Sequence, residues 1–163
     1  MKRIAIIAGA CAVVAYALWG TVAINDLGLV AGSGLSRDAT IAAMKAAGQP
    51  ASMIPGFLFL AAGVAIAGAW ALFAHRRSEI TPGWIAAGWC VALVLGTPAY
   101  FFASFWNVNA LGDTFYDWHA EAVADLARPL HLISAIALIG LSALAARRLA
   151  TRPASASPRA PRR

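Results

Sequence analysis

Four long apolar segments constrain the fold of this chain more than any other feature of its sequence. None of them contains an Asp, Glu, Lys or Arg, and each has close to the 20 or so apolar residues that a helix needs to cross about 30 Å of hydrocarbon. Only 12% of the 163 residues are charged, against about 25% in a typical soluble domain. The sequence therefore predicts an all-α fold, a four-helix transmembrane bundle within residues 1–150. The predicted spans cover residues 4–24, 54–74, 84–105 and 130–146.

The distribution of Lys and Arg predicts the orientation of the bundle. Ten of the 13 lie at the N-terminus, between the second and third apolar segments, or after the fourth. Cationic side chains resist translocation, whereas acidic side chains have little influence on topology. We therefore expect both termini in the cytoplasm and the first and third loops outside. Residues 151–163, rich in Pro, Ala, Ser and Arg, predict a disordered basic tail.

The first outer loop contains the pattern of a short amphipathic helix. Ser36 is suited to cap a helix over residues 37–47, and Gly48 is suited to end it. Ile41 and Met44 lie three residues apart and so share one face. They place this helix either on the membrane surface or over the mouth of the bundle.

The second outer loop holds carboxylates at a strict spacing of four residues: Asp113, Asp117, Glu121 and Asp125. If residues 113–125 form one amphipathic helix, the acids share one face and aromatic side chains occupy the other. This acidic stripe has three open interpretations: a solvated face, a docking surface for a basic partner, or a divalent-ion site. A soluble electron carrier or the basic face of another subunit fits the second. No metal is predicted, because one helix face cannot surround a cation and no Asp-rich loop with a central Gly is present.

Polar side chains gather near the predicted outer boundary. His131 is the only ionisable residue well inside a span apart from Cys and Tyr, so we expect it to face the bundle interior. A bis-histidine haem is not expected, because no second His lies within a span. The cluster predicts either interhelical hydrogen bonds or a polar mouth for the head group of a lipid, quinone or isoprenoid. Its members are Asn25, Asp26, Trp106, Asn107, Asn109, Arg128 and His131.

Small residues recur on the second predicted helix at Ala61, Ala65 and Gly68, with spacings of four and three residues. Small side chains let helix backbones approach closely in lipid. This face meets either another helix of the same chain, which is the interpretation we favour, or a partner protein.

Three positional features resemble an uncharacterised family of small bacterial four-helix membrane proteins. They are Trp19-Gly20 ending the first span, Pro55-Gly56 opening the second, and Asp125 followed by Pro129-Leu130 opening the fourth. The chain departs from the family in lacking a His and a Gly pair around Trp19 and in its long outer helix. The resemblance implies the architecture but no activity. Separately, we expect an integral protein of the bacterial cytoplasmic (inner) membrane.

The sequence contains no nucleophile motif, phosphate loop or dinucleotide fingerprint, so no catalytic residue is predicted. We favour a non-catalytic accessory or assembly subunit of a larger membrane complex, with the acidic stripe as its docking surface. The alternative is a protein or enzyme that binds a lipid, quinone or isoprenoid. Expected partners are membrane lipids, other membrane subunits and a basic soluble protein on the outer face, but not nucleic acid. No cofactor is predicted beyond a bound lipid or quinone.

Overall fold

Four long helices form the protein, and each is long and apolar enough to cross a membrane. The computed structural model describes residues 1–151, and every regular element within that range is helical. The predicted all-helical fold with four candidate spans is therefore confirmed, while all of the basic tail except Thr151 lies outside the described residues. In chain order the elements are α1 (Lys2–Val22), a π-helical turn (Ala23–Leu27), α2 (Gly28–Ser33), α3 (Arg37–Ala46), α4 (Ile54–Arg76), α5 (Pro82–Thr114) and α6 (Ala120–Ala150).

Three of the helices extend well beyond the predicted apolar spans. The first continues through the π-helical turn to Ser33, so α1, the turn and α2 form one unbroken rod. The helix α5 likewise continues past Phe105 to Thr114, and α6 begins at Ala120 instead of Leu130. The apolar pattern predicts which part of a helix lies in hydrocarbon, but it does not predict the helix ends. A helix ends where its backbone groups find other hydrogen-bond partners.

Pro129, which is predicted to open the fourth helix, lies inside α6. Proline has no N–H, so the carbonyl of Asp125 loses its usual donor one turn earlier. The adjacent carbonyl, that of Leu126, accepts a hydrogen bond of 3.0 Å from Trp19 Nε1. A side chain of α1 thus supports the turn of α6 that the proline disturbs.

The most extensive helix contact in the bundle joins α1 to α4, and glycines lie within it. A Cβ on Gly20 would lie 2.4 Å from the Phe59 ring, and one on Gly63 would lie 2.5 Å from Ala17 Cβ. Gly56 is buried beneath the Asn25 amide in the same seam. Since these distances are too short for a real side chain, the contact exists only because these residues are glycines.

The predicted seam at Ala61, Ala65 and Gly68 is wrong as an intrachain contact. All three residues are exposed on α4, and a Cβ on Gly68 would meet nothing within 4 Å. The helix α4 is apolar all round, so its sequence does not indicate which side packs against α1.

The helix α3 lies across one end of the bundle, which we call the α3 end. Ser36 caps it by accepting a hydrogen bond from the Ala39 amide, and Gly48 follows it with a φ of +74°. Such a positive φ favours glycine after a helix. Met44 is fully buried against Leu29 and Leu111. The apolar face of α3 therefore covers the bundle instead of lying on the membrane surface.

The opposite end, which we call the terminal end, unites the N-terminus, the α4–α5 turn and the end of α6. The ammonium of Lys2 donates to the Arg77 carbonyl, and the Arg148 guanidinium lies 3.6 Å from the centroid of the Trp84 ring. In the same turn, a hydrogen bond from its own backbone amide lowers the pKa of Glu79, assisted by the Arg77 charge. This end thus gathers cationic side chains from three separate parts of the chain.

Candidate functional site

A buried amide at the α3 end connects three segments of the chain. Asn107 is only 4% exposed, and its Oδ1 accepts a 2.9 Å hydrogen bond from the Ser52 amide. Its Nδ2 donates to the carbonyls of Ser52, at 2.9 Å, and Ile24, at 3.2 Å. The side chain is therefore fully used in joining α5 to the π-helical turn and to the segment before α4.

Asn25 lies within the π-helical turn and is 2% exposed. Its Nδ2 donates to the Met53 carbonyl at 3.2 Å, while its Oδ1 is buried without a hydrogen-bond partner among the described residues. π-Helical turns occur often at functional sites. Here, however, the amide packs directly against Gly56, where a Cβ would lie 2.4 Å from Oδ1. The turn thus presents Asn25 to the backbone of α4 and not to an open pocket.

The neighbouring residue Asp26 forms an ion pair with Arg37. The carboxylate Oδ1 lies 2.5 Å from Arg37 Nε, and both side chains are partly exposed. Arg37 also directs an NH2 group toward the Met53 sulfur at 3.3 Å. This pair ties the start of α3 to the first helix.

The remaining members of the predicted polar mouth do not join these groups. His131 is exposed on α6, so the expectation that it faces the bundle interior is wrong. Arg128 is exposed and pairs with Asp125 at 2.8 Å, and Asn109 is exposed. Trp106 is exposed and donates from Nε1 to the Pro50 carbonyl at 3.2 Å. The prediction grouped these side chains because their positions along the spans give them a similar depth in the membrane. In the structure they point in different directions around their helix axes and so lie apart.

The acidic stripe is also rearranged, because residues 113–125 are not one helix. Asp113 lies in the last turn of α5, Asp117 lies in the connecting turn, and Glu121 and Asp125 lie in the first two turns of α6. The predicted second loop helix is therefore wrong. The chain reverses at residues 115–119, where the His119 amide donates to the Gly32 carbonyl at 2.8 Å. All four carboxylates remain exposed at the α3 end.

A hydroxyl cluster in the middle of the bundle is absent from the sequence prediction. Ser134 Oγ accepts a 2.8 Å hydrogen bond from Thr97 and donates to the Leu93 carbonyl at 2.7 Å. The Tyr16 hydroxyl lies 3.2 Å from Ser134 and 3.3 Å from Thr97. The available signal was a Tyr, a Thr and a Ser at matching depth in three apolar spans. The cluster joins α1, α5 and α6 and leaves no polar group free.

A groove lies between α4 and α5 in the candidate membrane-spanning part of the described chain. Its volume is about 440 Å³, and its surface is almost entirely apolar. Tyr16 of α1 forms part of its floor, Phe59 and Ile66 of α4 one wall, and Val91 and Leu95 of α5 the other. We call this feature the α4–α5 groove. Its lining contains no member of the predicted polar mouth.

The described residues do not assemble a metal site. Within residues 1–151, no three His, Cys, Asp or Glu side chains come close enough to share a metal ion. Comparisons with models of protein families, with curated proteins and with solved structures give no match to this chain. The resemblance to the small bacterial four-helix family therefore stays a prediction.

Proposed function

We propose that the chain is a non-catalytic accessory or assembly subunit of a larger complex in the bacterial cytoplasmic membrane. The observation that carries this proposal is the outward-facing position of Ala61, Ala65 and Gly68 on α4. Close approach of small residues is a main source of helix association in lipid. No helix within residues 1–151 covers this face, so a helix of a partner subunit is its proposed occupant.

The charge distribution supports a cytoplasmic location for both termini. The terminal end carries Lys2, Arg3, Arg76, Arg77, Arg147 and Arg148. Four further Arg residues of the sequence follow Thr151. The α3 end has only three cationic residues and six acidic ones. Positive residues remain on the cytoplasmic side of bacterial membranes and also bind anionic lipid there.

The exposed carboxylates support a docking surface for a basic partner at the α3 end. Asp125 is paired with Arg128, but Asp113, Asp117 and Glu121 have no ion-pair partner within 4 Å among residues 1–151. Unpaired acids on an exposed turn attract a cationic surface and accelerate its association. A basic soluble protein or the basic loop of another subunit meets this requirement.

A second function, the binding of a lipid-like molecule, is favoured by the α4–α5 groove. The groove is apolar and concave, as binding sites for hydrophobic ligands are. The polar mouth predicted for this function does not line it, so the groove and not the mouth supports this alternative.

Purification in mild detergent tests the subunit proposal. A tagged chain isolated from its own cells is expected to co-migrate with other membrane proteins at fixed stoichiometry, identified by mass spectrometry. The double variant Ala65→Leu/Gly68→Leu fills the small-residue face and is expected to lose these proteins. Ala135→Leu, on the exposed surface of α6, is the matched control and keeps them. A wild-type chain that migrates alone would contradict the proposal.

Charge reversal tests the docking surface separately. Asp117→Lys/Glu121→Lys is expected to weaken binding of the basic partner at least tenfold, with a loss of salt dependence. Asp38→Lys changes an exposed acid at the same end, within α3, and is expected to have a much smaller effect. Equal effects of the two variants would assign the attraction to net charge and not to the acidic stripe.

A further inference from the structure

Arg148, in the last turn of α6, is held against the start of α5. The central carbon of its guanidinium lies 3.6 Å from the centroid of the Trp84 ring. This separation is that of a van der Waals contact, so the guanidinium lies against the face of the indole. Because a stacked, planar guanidinium is already oriented before a ligand arrives, it loses less side-chain entropy when it forms further hydrogen bonds.

The stacked guanidinium keeps its hydrogen-bonding groups available. Its N–H donors lie in the plane of the group, whereas contact with an aromatic ring covers only one face. Within residues 1–151, no acidic side chain lies within 4 Å of Arg148. Glu79, the only acidic residue at the terminal end, is paired with Arg77 at 3.5 Å. Arg148 therefore carries a positive charge that no acidic side chain of the described residues neutralises.

A hydroxyl group borders the same space as this guanidinium. A Cβ built on Gly83 would lie 3.9 Å from Thr81 Oγ1 and 4.0 Å from Arg148 Nη2. Thr81 precedes α5 but makes no side-chain hydrogen bond that caps the helix. The Thr81 hydroxyl and the Arg148 N–H groups are therefore both available as donors beside Gly83. Such a pair of donors suits an anion that has more than one acceptor oxygen.

Exposed apolar side chains place these donors at the edge of the hydrocarbon region. Trp84 is 55% exposed, and Leu149, which follows Arg148, is 66% exposed. Both residues lie at the ends of helices that are long and apolar enough to cross a membrane. Tryptophan is enriched at the membrane–water interface, and arginine near the end of a span directs its charge to the same level. The anionic group that a bilayer offers at this level is the phosphate of a phospholipid.

The charge of the terminal end selects among phospholipids. Within residues 1–151 this end has six cationic side chains and a single acidic one. This excess of positive charge repels the ammonium group of phosphatidylethanolamine, which partly offsets the attraction of its phosphate. The head group of phosphatidylglycerol has a net negative charge and is attracted without such a loss. The terminal end therefore favours an anionic phospholipid.

We propose that the terminal end holds the phosphate of one anionic phospholipid between Arg148 and Thr81. Arg148 donates from two N–H groups to the non-bridging phosphate oxygens, and Thr81 donates to one of the same oxygens. Trp84 supports the guanidinium, and the acyl chains lie along exposed apolar side chains such as Leu149. The site is independent of the proposed subunit role, because it involves neither the small-residue face of α4 nor the acidic stripe.

Lipid binding by the wild-type chain tests this proposal first. The full chain in mild detergent is titrated with phosphatidylglycerol or with phosphatidylethanolamine of the same acyl chains, and native mass spectrometry counts the lipids bound. We expect one phosphatidylglycerol per chain to bind at least fivefold more tightly than phosphatidylethanolamine. Equal affinity for the two lipids would overturn the proposal.

Neutralisation of single cations distinguishes a defined site from net charge. Arg148→Gln is expected to lower the affinity for phosphatidylglycerol at least fivefold. Arg76→Gln removes the same charge from an exposed position at the same end and is the matched control, with an expected loss of less than twofold. Similar losses in both variants would show a diffuse charge effect and would contradict the site.

Two further variants test the geometry of the site. Arg148→Lys keeps the charge but lacks the planar fork, and Trp84→Leu keeps an apolar side chain but removes the aromatic support. Each is expected to weaken the binding of phosphatidylglycerol at least threefold. Wild-type affinity in either variant would contradict the proposed geometry.

Soluble competitors distinguish a lipid from other sources of negative charge. Inorganic phosphate or a hexaglutamate peptide, each in large molar excess over the lipid, is expected to leave phosphatidylglycerol bound, because neither has acyl chains to place beside Trp84 and Leu149. Displacement by phosphate would assign the site to a free anion, and displacement by the peptide would assign it to an acidic protein segment. Either result would overturn the lipid assignment, whereas failure of the subunit proposal would leave all of these measurements unchanged.

Discussion

At the residue scale, buried polar side chains connect helices instead of facing a ligand. Asn25 and Asn107 belong to the predicted polar mouth, but their amides hold the π-helical turn, the segment before α4, and α5 together. Their polarity and depth were readable from the sequence. Their partners were not, because most of these are backbone groups of Ser52, Met53 and Ile24, which every residue type supplies.

Removing the Asn107 amide is expected to destabilise the fold. Asn107→Ala leaves the Ser52 amide and two carbonyls without this partner, and an unsatisfied buried polar group costs about 1–3 kcal/mol. Because hydrogen bonds within membranes average about 0.6 kcal/mol, we expect a total loss of about 2–3 kcal/mol. Asn109→Ala, at an exposed position two residues later, should stay within about 0.5 kcal/mol of wild type. Unfolding in a mixed-detergent titration measures both, and equal losses would contradict the assigned role of Asn107.

The central hydroxyl cluster gives a second prediction at this scale. Ser134→Ala removes the contacts of Ser134 with Thr97, Tyr16 and the Leu93 carbonyl and is expected to cost about 1–2 kcal/mol. Ser142→Ala is the control, because Ser142 is exposed and bonds only to Leu138 in its own helix. The same titration measures both variants. A loss for Ser142→Ala as large as that for Ser134→Ala would argue against a structural role for the cluster.

At the element scale, the contact between α1 and α4 depends on glycine positions that the sequence pattern does not single out. The small residues predicted to form the helix contact and those that do form it lie on the same helix, α4. Gly56 and Gly63 face α1, whereas Ala61, Ala65 and Gly68 face outward. Small residues occur on several faces of α4. The face that packs inward depends on what lies opposite, namely the Asn25 amide of the π-helical turn and Gly20 of α1, which lies against the Phe59 ring.

Two glycines of α4 test this assignment with the same substitution. Gly56→Ala places a Cβ 2.4 Å from Asn25 Oδ1, so we expect α1 and α4 to separate and stability to fall by about 1–3 kcal/mol. Gly68→Ala meets open space and should be neutral or stabilising by up to about 1 kcal/mol, since alanine favours helix. Thermal unfolding in detergent compares the two variants. A larger loss for Gly68→Ala would mean that the wrong face of α4 has been assigned to α1.

The acidic stripe shows a second limit of prediction from local sequence at the element scale. A spacing of four residues predicts one helix only if the backbone is helical throughout, and here the chain turns at residues 115–119. The turn docks through the His119 amide on the Gly32 carbonyl, a contact between residues far apart in sequence. No local pattern within residues 113–125 indicates such a contact.

At the scale of the whole molecule, the two ends differ in charge, and this difference gives a topology prediction. In a Cys11→Ala/Cys90→Ala background, Ser78→Cys lies in the α4–α5 turn at the terminal end and Gln49→Cys lies after α3. A membrane-impermeant maleimide applied to intact spheroplasts is expected to label Gln49→Cys alone, because cationic ends remain cytoplasmic. Both sites should react once the membrane is opened. Labelling of Ser78→Cys in intact spheroplasts would show that the terminal end lies outside, which would contradict the predicted orientation.

The sequence by itself determined the fold class, the number of candidate spans and the division of charge between the two ends. These features follow from the length of the apolar segments and the cost of placing charge in hydrocarbon, which are properties of composition along the chain. Only the tertiary structure decided which face of each helix is covered. Rotation about a helix axis depends on packing against neighbours, and in spans that are apolar on every side nothing in the local sequence sets it. For this reason His131 faces outward, residues 113–125 divide between two helices, and the α4–α5 groove appears only once α1, α4 and α5 are packed together.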